Sequence, residues 1–186
     1  MTPSSPPKTN RQPPGRRLNA GDAVIFLSIT LVGAVGDVWS KYAVFGWLEE
    51  LPTRQYTFID GFLRFIKAEN PGAAFSLFEG MTWLFIAISI VALGVIHVLF
   101  VLGRLKPRLM LAALACINAG VIGNLYDRLF NEGRVRDFID VSVGSYHWPT
   151  FNVADSLLCI GVGLMLIVNF TSPTGQTPAR PHKAAS

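Results

Sequence analysis

The hydrophobic positions of this chain are concentrated in four long apolar stretches. They run approximately over residues 23–45, 82–102, 109–125 and 153–170. Each approaches the roughly 20 apolar residues that a helix needs to cross a bilayer. Because 51% of the 186 residues are hydrophobic and the mean hydropathy is +0.41, an ordinary soluble domain is excluded. The pattern therefore predicts four transmembrane helices in one small bundle.

The two longer connections between these helices follow a different pattern. Residues 56–67 are rich in aromatic and β-branched side chains and precede an Asn-Pro-Gly turn signal. Residues 131–150 carry a second apolar run between glycines. We predict that both connections form short strands at one membrane face. The predicted fold class is an all-α membrane protein, with four transmembrane helices and a small extracytoplasmic β-layer formed by the two outer connections.

The distribution of charge predicts the orientation in the membrane. Lys and Arg without acidic residues occupy the N-terminal tail, the short connection after the second helix and the C-terminal tail, whereas the long connections mix both signs. The positive-inside rule therefore predicts cytoplasmic termini and outward-facing long connections. Residues 1–19 and 172–186 are expected to be disordered cytoplasmic tails around a membrane domain at 20–171. The pI of about 9.3 then reflects contact with anionic lipid, and no nucleic-acid partner is expected.

The first apolar segment could instead be a cleavable signal peptide. Its apolar run exceeds the roughly 7–15 residues of such a segment, and it lacks an A-x-A-like exit. We therefore expect it to remain as the first transmembrane helix.

Two aspartates, Asp137 and Asp155, carry the strongest chemical signal. Both lie near ends of apolar segments that should place their carboxylates at the same membrane face, where an unpaired carboxylate is costly. Two carboxylates brought together can share one proton, which is the basis of aspartyl-type peptide hydrolysis. Taken singly, each has a structural interpretation. Asp155 lies in a first helical turn capped by Asn152, and Asp137 could pair with Arg134 or Arg136.

Further polar residues fall at the same level of the predicted bundle. Asp37 precedes Lys41 by four residues, the favourable order for a helical ion pair, which by itself indicates a structural role. Asn124 and Arg128 share one face of the third helix, with Asp127 beside them. Asn124 is expected to point into the bundle, where it would either bond to other helices or orient catalytic groups. The polar set at this level strengthens the functional interpretation of the aspartates: Asp37, Asn70, Asn124 and Asn152.

The remaining reactive side chains do not suggest a metal, a cofactor or another nucleophile. Cys116 and Cys159 lie within predicted spans and are interpreted as packing residues. His97 is also within a predicted span, and His147 in the outer connection has no second His or Cys to form a metal site. We therefore expect neither a metal nor a soluble cofactor.

Five sequence blocks occur in a specific order along the chain. They are G-D-V-W-S-K (36–41), N-P-G-A-A-F-S (70–76), G-N-L-Y-D-R (123–128), V-R-D-F-I-D (135–140) and F-N-V-A-D-S (151–156). Each block alone is a weak signal, but together they span the first to the fourth helix. On these blocks the chain resembles the bacterial lipoprotein signal peptidases, also called signal peptidase II, an aspartyl membrane protease family (A8).

The resemblance implies an aspartyl endopeptidase of the bacterial inner membrane. It would remove the signal peptide from diacylglyceryl-modified prolipoproteins by cleaving just before the lipidated cysteine. The catalytic pair maps onto Asp137 and Asp155, whereas Asp140 does not match the catalytic position. Substrate-binding or pair-orienting positions map onto Asp37, Lys41, Asn70, Gly72, Asn124, Arg128 and Asn152. The active site would face the periplasmic or extracytoplasmic side of a multi-pass protein. Its partners would be diacylglyceryl-prolipoprotein substrates and membrane lipid, and we expect a monomer.

The residues are compatible with this chemistry. One carboxylate can deprotonate a water while the other donates a hydrogen bond to the scissile carbonyl, so no acyl-enzyme is needed. A helix N-terminus favours an anion at Asp155, and we therefore expect Asp137 to hold the shared proton more often. The turn at Asn70 and Gly72 is expected to bring the first outer connection over the site, as a lid or clamp.

Two alternatives of other classes stay open from the residues alone. A proton-coupled transporter could use the same carboxylates as a relay, but it would be expected to distribute acids across membrane depth. A purely structural bundle would leave the polar set unexplained. An intramembrane protease of the G-x-G-D type is disfavoured because that motif is absent.

Overall fold

The structure is a computed structural model that describes residues 19–72, 80–103, 105 and 107–171. Apart from Asn19, the two predicted tails lie outside the described residues, as does the N-P-G-A-A-F-S block beyond Gly72. The described part contains four helices long and apolar enough to cross a membrane. They are α1 (Ala20–Glu49), α2 (Thr82–Val101), α3 (Arg108–Phe130) and α4 (Val153–Thr171). The predicted four-helix architecture is confirmed.

Two helices extend further than the apolar pattern predicted. α1 continues to Glu49 rather than residue 45, because its last turn buries Leu48 completely against the rest of the molecule. α3 continues to Phe130 rather than residue 125, through Asp127 and Arg128. Asp127 is buried with cationic partners, and a basic residue in a last helical turn is favoured by the helix dipole. Charge in this sequence therefore does not mark the helix end.

The two outer connections pair with each other in one small antiparallel sheet. The first connection forms β1 (Gln55–Ile59) and β2 (Leu63–Asn70), and the second forms β3 (Val135–Val143) and β4 (Tyr146–His147). The strand order is β1-β2-β3-β4. The pairing of β2 with β3 sets Ala68 opposite Asp137. The predicted β-layer is confirmed, and its central pairing brings both connections to Asp137.

α3 is the central helix and packs against α1, α2 and α4. Small residues allow the close approach to α1 and α4. A Cβ added at Gly120 would lie 2.5 Å from the Ala154 carbonyl oxygen, and one added at Gly33 would lie 2.8 Å from the Ala119 Cβ. Close backbone approach at small residues is the usual way for membrane helices to gain packing energy.

The bundle has two ends of different composition. We name the apolar end by its buried cluster, which comprises Phe26, Ile96, Leu105, Leu111, Leu114 and Ala115. We name the polar end by six buried polar side chains, which are Asp37, Lys41, Asn124, Asp127, Asp137 and Asn152. Since unpaired polar groups are costly in a membrane, each of the six side chains of the polar end is expected to have polar partners.

Candidate active site

The start of α4 is fixed by a reciprocal pair of hydrogen bonds. The Asp155 backbone N–H donates to Asn152 Oδ1 at 2.9 Å, and the Asn152 backbone N–H donates to Asp155 Oδ2 at 3.2 Å. This is a capping box: the side-chain oxygen of each residue accepts the backbone N–H of the other. Both N–H groups would otherwise be unpaired at the helix start. The other oxygen, Asp155 Oδ1, accepts from Asn124 Nδ2 at 2.8 Å. The capping interpretation of Asn152 is therefore correct, but the same bonds also orient the Asp155 carboxylate.

Backbone pairing places Asp137 beside the start of α4. The N–H groups of Phe138 and Ile139 donate to the Phe151 carbonyl at 3.1 and 2.9 Å, and Phe151 N–H donates to Ile139 O at 3.0 Å. Asn152 follows directly, and its Nδ2 donates to Asp137 Oδ1 at 2.6 Å. One asparagine therefore contacts both aspartates that the sequence singled out.

The Asp137 carboxyl is 3% exposed and titrates near neutrality. Burial, as the larger cause, and the nearby Asp155 charge together raise its pKa to about 7. Hydrogen bonds from Asn152 and Asn70 act in the opposite direction, because they stabilise the carboxylate. Asp137 is thus protonated below about pH 7. That Asp137 holds the shared proton more often than Asp155 stays a prediction.

The structural alternative for Asp137, pairing with a neighbouring arginine, is wrong. Arg136 Nη1 donates to Asp127 Oδ1 at 2.7 Å, and Arg134 pairs with the half-exposed Glu69 at 3.4 Å. Successive residues of a strand point to opposite faces, so Arg136 in β3 faces away from its neighbour Asp137.

Lys41 lies at the centre of a buried ionic cluster. Its Nζ is 2.7 Å from Asp37 Oδ2, 3.0 Å from Asn124 Oδ1 and 3.3 Å from Asp127 Oδ2, and the side chain has no exposed area. The second Asp37 oxygen accepts the Ala154 N–H of α4 at 2.7 Å. The i,i+4 pair predicted on α1 is therefore present, and it ties α1 to both α3 and α4.

Asn124 connects this ionic cluster to the aspartates. Its Oδ1 accepts from Lys41 Nζ and from Asn152 Nδ2, the latter at 3.1 Å. Its Nδ2 donates to Asp155, so all its polar atoms face inward. The expectation that Asn124 points into the bundle is met, and its contacts combine the two roles that the sequence left open.

Arg128 reaches the turn that ends β2. Its Nη2 donates to the Gly72 carbonyl at 3.3 Å, and its Nη1 donates to the Asn124 carbonyl at 3.4 Å. The Gly72 N–H in turn donates to Asn70 Oδ1 at 2.9 Å, while Asn70 Nδ2 donates to Asp137 Oδ2 at 3.3 Å. The turn of the first outer connection is therefore held against the same site.

Asp127 belongs to the site, but the sequence showed only its position beside Asn124 and Arg128 and predicted no role for it. Its side chain is 1% exposed, and it pairs with both Lys41 and Arg136. The available signal was its position three residues after Asn124, which puts both on one helix face.

A cavity of about 440 Å³ opens beside Asp137. Its walls come from β2 and the residue after it, from β3, and from the end of β4 with the segment that leads to α4, so it is built by the two outer connections. The residues around it are Ala68, Glu69, Asn70, Pro71, Asp137, Asp140, His147, Trp148, Pro149 and Thr150. Polar groups on these walls could hold an extended peptide backbone next to the Asp137 carboxyl.

Fold and site together define a polytopic membrane protein with coupled carboxyls at one end of its helices. Burial raises the pKa of one carboxyl, Asp137, to about 7, and the other carboxyl accepts two hydrogen bonds at a helix N-terminus. Such a pair can activate a water for attack on a peptide carbonyl.

Comparison with known proteins identifies the family. The family model described as signal peptidase (SPase) II, Peptidase A8, matches residues 29–171. The lipoprotein signal peptidase of Halalkalibacterium halodurans is 37% identical over 145 residues, covering 77% of this chain and 90% of the relative. That of Syntrophus aciditrophicus is 38% identical over 154 residues, covering 78% and 91%. The chain therefore belongs to the signal peptidase II family.

The fold is also shared with a solved structure. A bacterial membrane enzyme determined by the in meso method at 2.3 Å resolution is 26% identical, with a TM-score of 0.71. The match covers 91% of this chain and 99% of that chain. The predicted family, enzyme class and multi-pass bacterial membrane location are thereby confirmed.

Proposed function

We propose that this chain is an aspartic endopeptidase that cleaves diacylglyceryl-modified prolipoproteins just before the lipidated cysteine, with Asp137 and Asp155 as its catalytic pair. Membership of the signal peptidase II family and the lipoprotein signal peptidases among its relatives support the removal of signal peptides from prolipoproteins. The observation that carries the catalytic assignment is the shared contact of both aspartates with Asn152, beside the cavity.

The two carboxyls take different roles in this mechanism. Asp155 is the anion, since a helix start and two N–H donors stabilise its charge, and it removes a proton from a water held between the pair. The water oxygen attacks the scissile carbonyl carbon while protonated Asp137 donates a hydrogen bond to the carbonyl oxygen. When the tetrahedral intermediate collapses, Asp155 passes the proton it took from the water to the leaving nitrogen, and the C–N bond breaks to release a carboxylic acid and an amine.

The supporting residues divide by location. Asn124 and Asn152 orient the carboxyls through direct hydrogen bonds. Asp37 and Lys41 hold Asn124 and the start of α4 from α1. The turn at Asn70 and Gly72, which Arg128 holds from α3, forms the substrate-facing lip of the site and serves as the proposed clamp.

We propose the membrane orientation that the charges predict, with cytoplasmic termini and an outward-facing site. The protein acts as a monomer, and the acyl chains of its substrate stay in the membrane lipid. The site lies at the sheet end of the bundle, whereas Leu105, between α2 and α3, belongs to the apolar cluster at the other end. In a Cys116→Ser, Cys159→Ser background, a cysteine introduced at Asp60 should react with an impermeant maleimide from outside. One introduced at Ser4 should react only after permeabilisation. The reverse pattern would contradict this orientation.

The decisive experiment compares wild type with Asp137→Asn and Asp155→Asn on a diacylglyceryl-modified prolipoprotein, in detergent or lipid. Each variant should fold and insert but cleave at least about 10³-fold more slowly, because Asp155→Asn removes the general base and Asp137→Asn removes the carboxylic acid that stabilises the carbonyl oxygen. Asp140→Asn tests the nearest rival acid, which pairs with Arg64, and should stay within about tenfold of wild type.

A well-folded Asp137→Asn or Asp155→Asn that cleaves at a near-normal rate would make that aspartate structural. A wild type that cleaves no such substrate would favour the transporter alternative.

A further inference from the structure

We propose that Asp127 and Arg136 are positioning residues that set the separation of the two catalytic carboxyls, an inference that rests on the proposed function. α3 carries two buried polar residues one turn apart. Asn124 holds Asp155 through its Nδ2 at 2.8 Å. Asp127 holds Arg136, the residue directly before Asp137. One helical turn of α3 therefore contacts Asp155 directly and also contacts the residue next to Asp137.

A single carboxylate fixes Arg136 at two points. Asp127 Oδ2 accepts the Arg136 backbone N–H at 2.8 Å, and its Oδ1 accepts from the guanidinium at 2.7 Å. The two side chains are 1% and 12% exposed. The Arg136 carbonyl also accepts from Asn152 Nδ2 at 3.3 Å. Because Asp137 is the next residue along β3, fixing this backbone fixes the starting point of its side chain.

The chain between Asp127 and Arg136 is short and tightly bonded. Asn131 N–H donates to the Asp127 carbonyl at 2.7 Å, and Asn131 Oδ1 accepts from Arg136 Nη2 at 2.9 Å. The next two residues, Glu132 and Gly133, both adopt the left-handed region, with φ of 51° and 82°. The chain therefore reverses direction within a few residues, and these hydrogen bonds hold the end of α3 against the start of β3.

Asp127 has no free oxygen for chemistry of its own. Its Oδ1 is bonded to Arg136, its Oδ2 accepts the Arg136 backbone N–H, and Lys41 Nζ lies 3.3 Å from the latter oxygen. The residue is completely buried. Asp127 acts on the reaction only through the residues it holds, which is why it is a positioning residue rather than a catalytic one.

The charges of this cluster balance only while Asp127 is present. Lys41 lies between Asp37 and Asp127, and Arg136 bonds to Asp127 with its guanidinium 4.4 Å from the centre of the Tyr42 ring. Neutralising Asp127 would leave Lys41 with Asp37 as its paired carboxylate and would remove the carboxylate that pairs with Arg136. Arg136 and the strand that carries Asp137 would then shift toward other acceptors or solvent.

The test uses Asp127→Asn and Arg136→Gln on a diacylglyceryl-modified prolipoprotein, with kcat and KM measured separately. A misplacement of about 1 Å in a catalytic group costs roughly 10²-fold, so we expect kcat to fall about 10- to 100-fold with KM within about twofold. Since the two residues act as one unit, the double variant should be no slower than the slower single variant. Arg134→Gln, which removes an exposed pair with Glu69, should match wild type.

The pH profile separates positioning from simple loss of stability. Besides Asp155 from α4, the charged groups acting on Asp137 include Lys41 from α1 and Arg128 from α3. The titratable groups around the same cavity are Glu69, Asp140 and His147, from β2, β3 and β4. If Asp137 moves away from Asp155 and toward water, its pKa falls from about 7. The alkaline limb of kcat should then move to lower pH in Asp127→Asn. A variant that was only less stable would contain less active enzyme with an unchanged limb.

Several results would overturn the inference. They are a kcat within about twofold of wild type in both variants, a rise in KM alone, or a fixed alkaline limb. Should Asp127→Asn fail to fold, Arg136→Gln tests the same contact, because it changes the more exposed of the two side chains. Unchanged cleavage by Asp127→Asn beside an inactive Asp137→Asn would reject this inference only, whereas an active Asp137→Asn would reject the proposed catalytic pair.

Discussion

The apolar and polar ends of the bundle are packed by opposite chemistry. At the apolar end, Phe26 is completely buried and stacks on Phe100 with ring centres 4.3 Å apart. At the polar end, Lys41 is equally buried, but its contacts are two carboxylates and an amide within 3.3 Å. Equally buried side chains are thus held by apolar packing at one end and by ion pairs and hydrogen bonds at the other.

This difference teaches where specificity resides in a small membrane enzyme. Apolar side chains in a bilayer gain mainly van der Waals packing, because unfolded helices would still be surrounded by lipid. Buried polar side chains must each find a particular partner, since an unpaired one is costly. Changes at the polar end are therefore expected to reduce activity and also to change stability, whereas changes at the apolar end are expected to change stability alone.

The largest effect is expected for Lys41→Met. The substitution keeps a similar volume but leaves Asp37 and Asp127 facing each other without the cation between them. Breaking a buried ion pair from one side costs about 3–5 kcal/mol of unfolding free energy, and cleavage should be lost as well. Thermal unfolding in detergent and prolipoprotein cleavage measure the two effects. A stable, active Lys41→Met would show that the ionic cluster is dispensable.

Asp137→Asn should raise stability in a pH-dependent way, even as it removes activity. The folded-state pKa of Asp137 is about 7, above the roughly 3.9 of an unfolded chain. The folded state therefore favours the protonated form, whose stabilisation is complete below about pH 4 and is lost as the pH rises to about 7. Asparagine does not titrate.

The stability of Asp137→Asn relative to wild type should accordingly grow between about pH 4 and pH 7 and then stay constant, reaching roughly 4 kcal/mol at most. Unfolding midpoints of both proteins across this range measure the difference. A difference independent of pH would mean that Asp137 is not held protonated by its surroundings.

Gly123→Ala tests how closely the helices must approach at the polar end. An added Cβ would lie 2.3 Å from Asp37 Oδ2, so the carboxylate would have to move away from the Ala154 N–H. We expect a loss of about 1–3 kcal/mol and a fall in cleavage of about tenfold or more.

Gly163→Ala in α4 is the matched control, because nothing lies within 4 Å of the added Cβ. It should keep normal cleavage and gain up to about 1 kcal/mol from helix propensity. Equal losses in the two variants would refute the role given to the space at Gly123.

The smallest effect on activity is expected for Phe26→Ala at the apolar end. Loss of the Phe100 stack should cost about 2 kcal/mol, less than the roughly 3–5 kcal/mol of a soluble core, because lipid also solvates the separated helices. Cleavage at temperatures below unfolding should stay within about twofold of wild type. Val32→Ala, at a side chain 72% exposed on α1, serves as the control for a lipid-facing truncation. A strong loss of cleavage in Phe26→Ala would erase the contrast between the two ends.

Much of the fold was predictable because its signals are local. Apolar length predicts the spans, β-branched and aromatic runs predict the strands, and the Asn152-to-Asp155 spacing predicts the start of α4. Only the helix ends were underestimated. Hydropathy ends a span at the first charges, whereas buried partners let α3 continue through Asp127 to Phe130.

The partners of the charged residues were less predictable. Sequence proximity suggested that Asp137 would pair with Arg134 or Arg136, but strand alternation directs Arg136 to Asp127 instead. The role of Asp127 depends on contacts with Lys41 on α1 and Arg136 on β3, and no spacing along the chain encodes either contact.

The sequence by itself determined the four helices, the two strand-forming connections and the family to which the chain belongs. It also selected Asp137 and Asp155, because acids next to apolar segments are rare and the blocks around them are specific. Only the tertiary structure decided that Asn152 contacts both aspartates, that burial raises the pKa of Asp137 to about 7, and that Asp127 holds the strand beside it. The reason is physical: hydropathy and capping act over a few neighbouring residues, whereas desolvation and ion pairing depend on which distant segments the packed helices bring together.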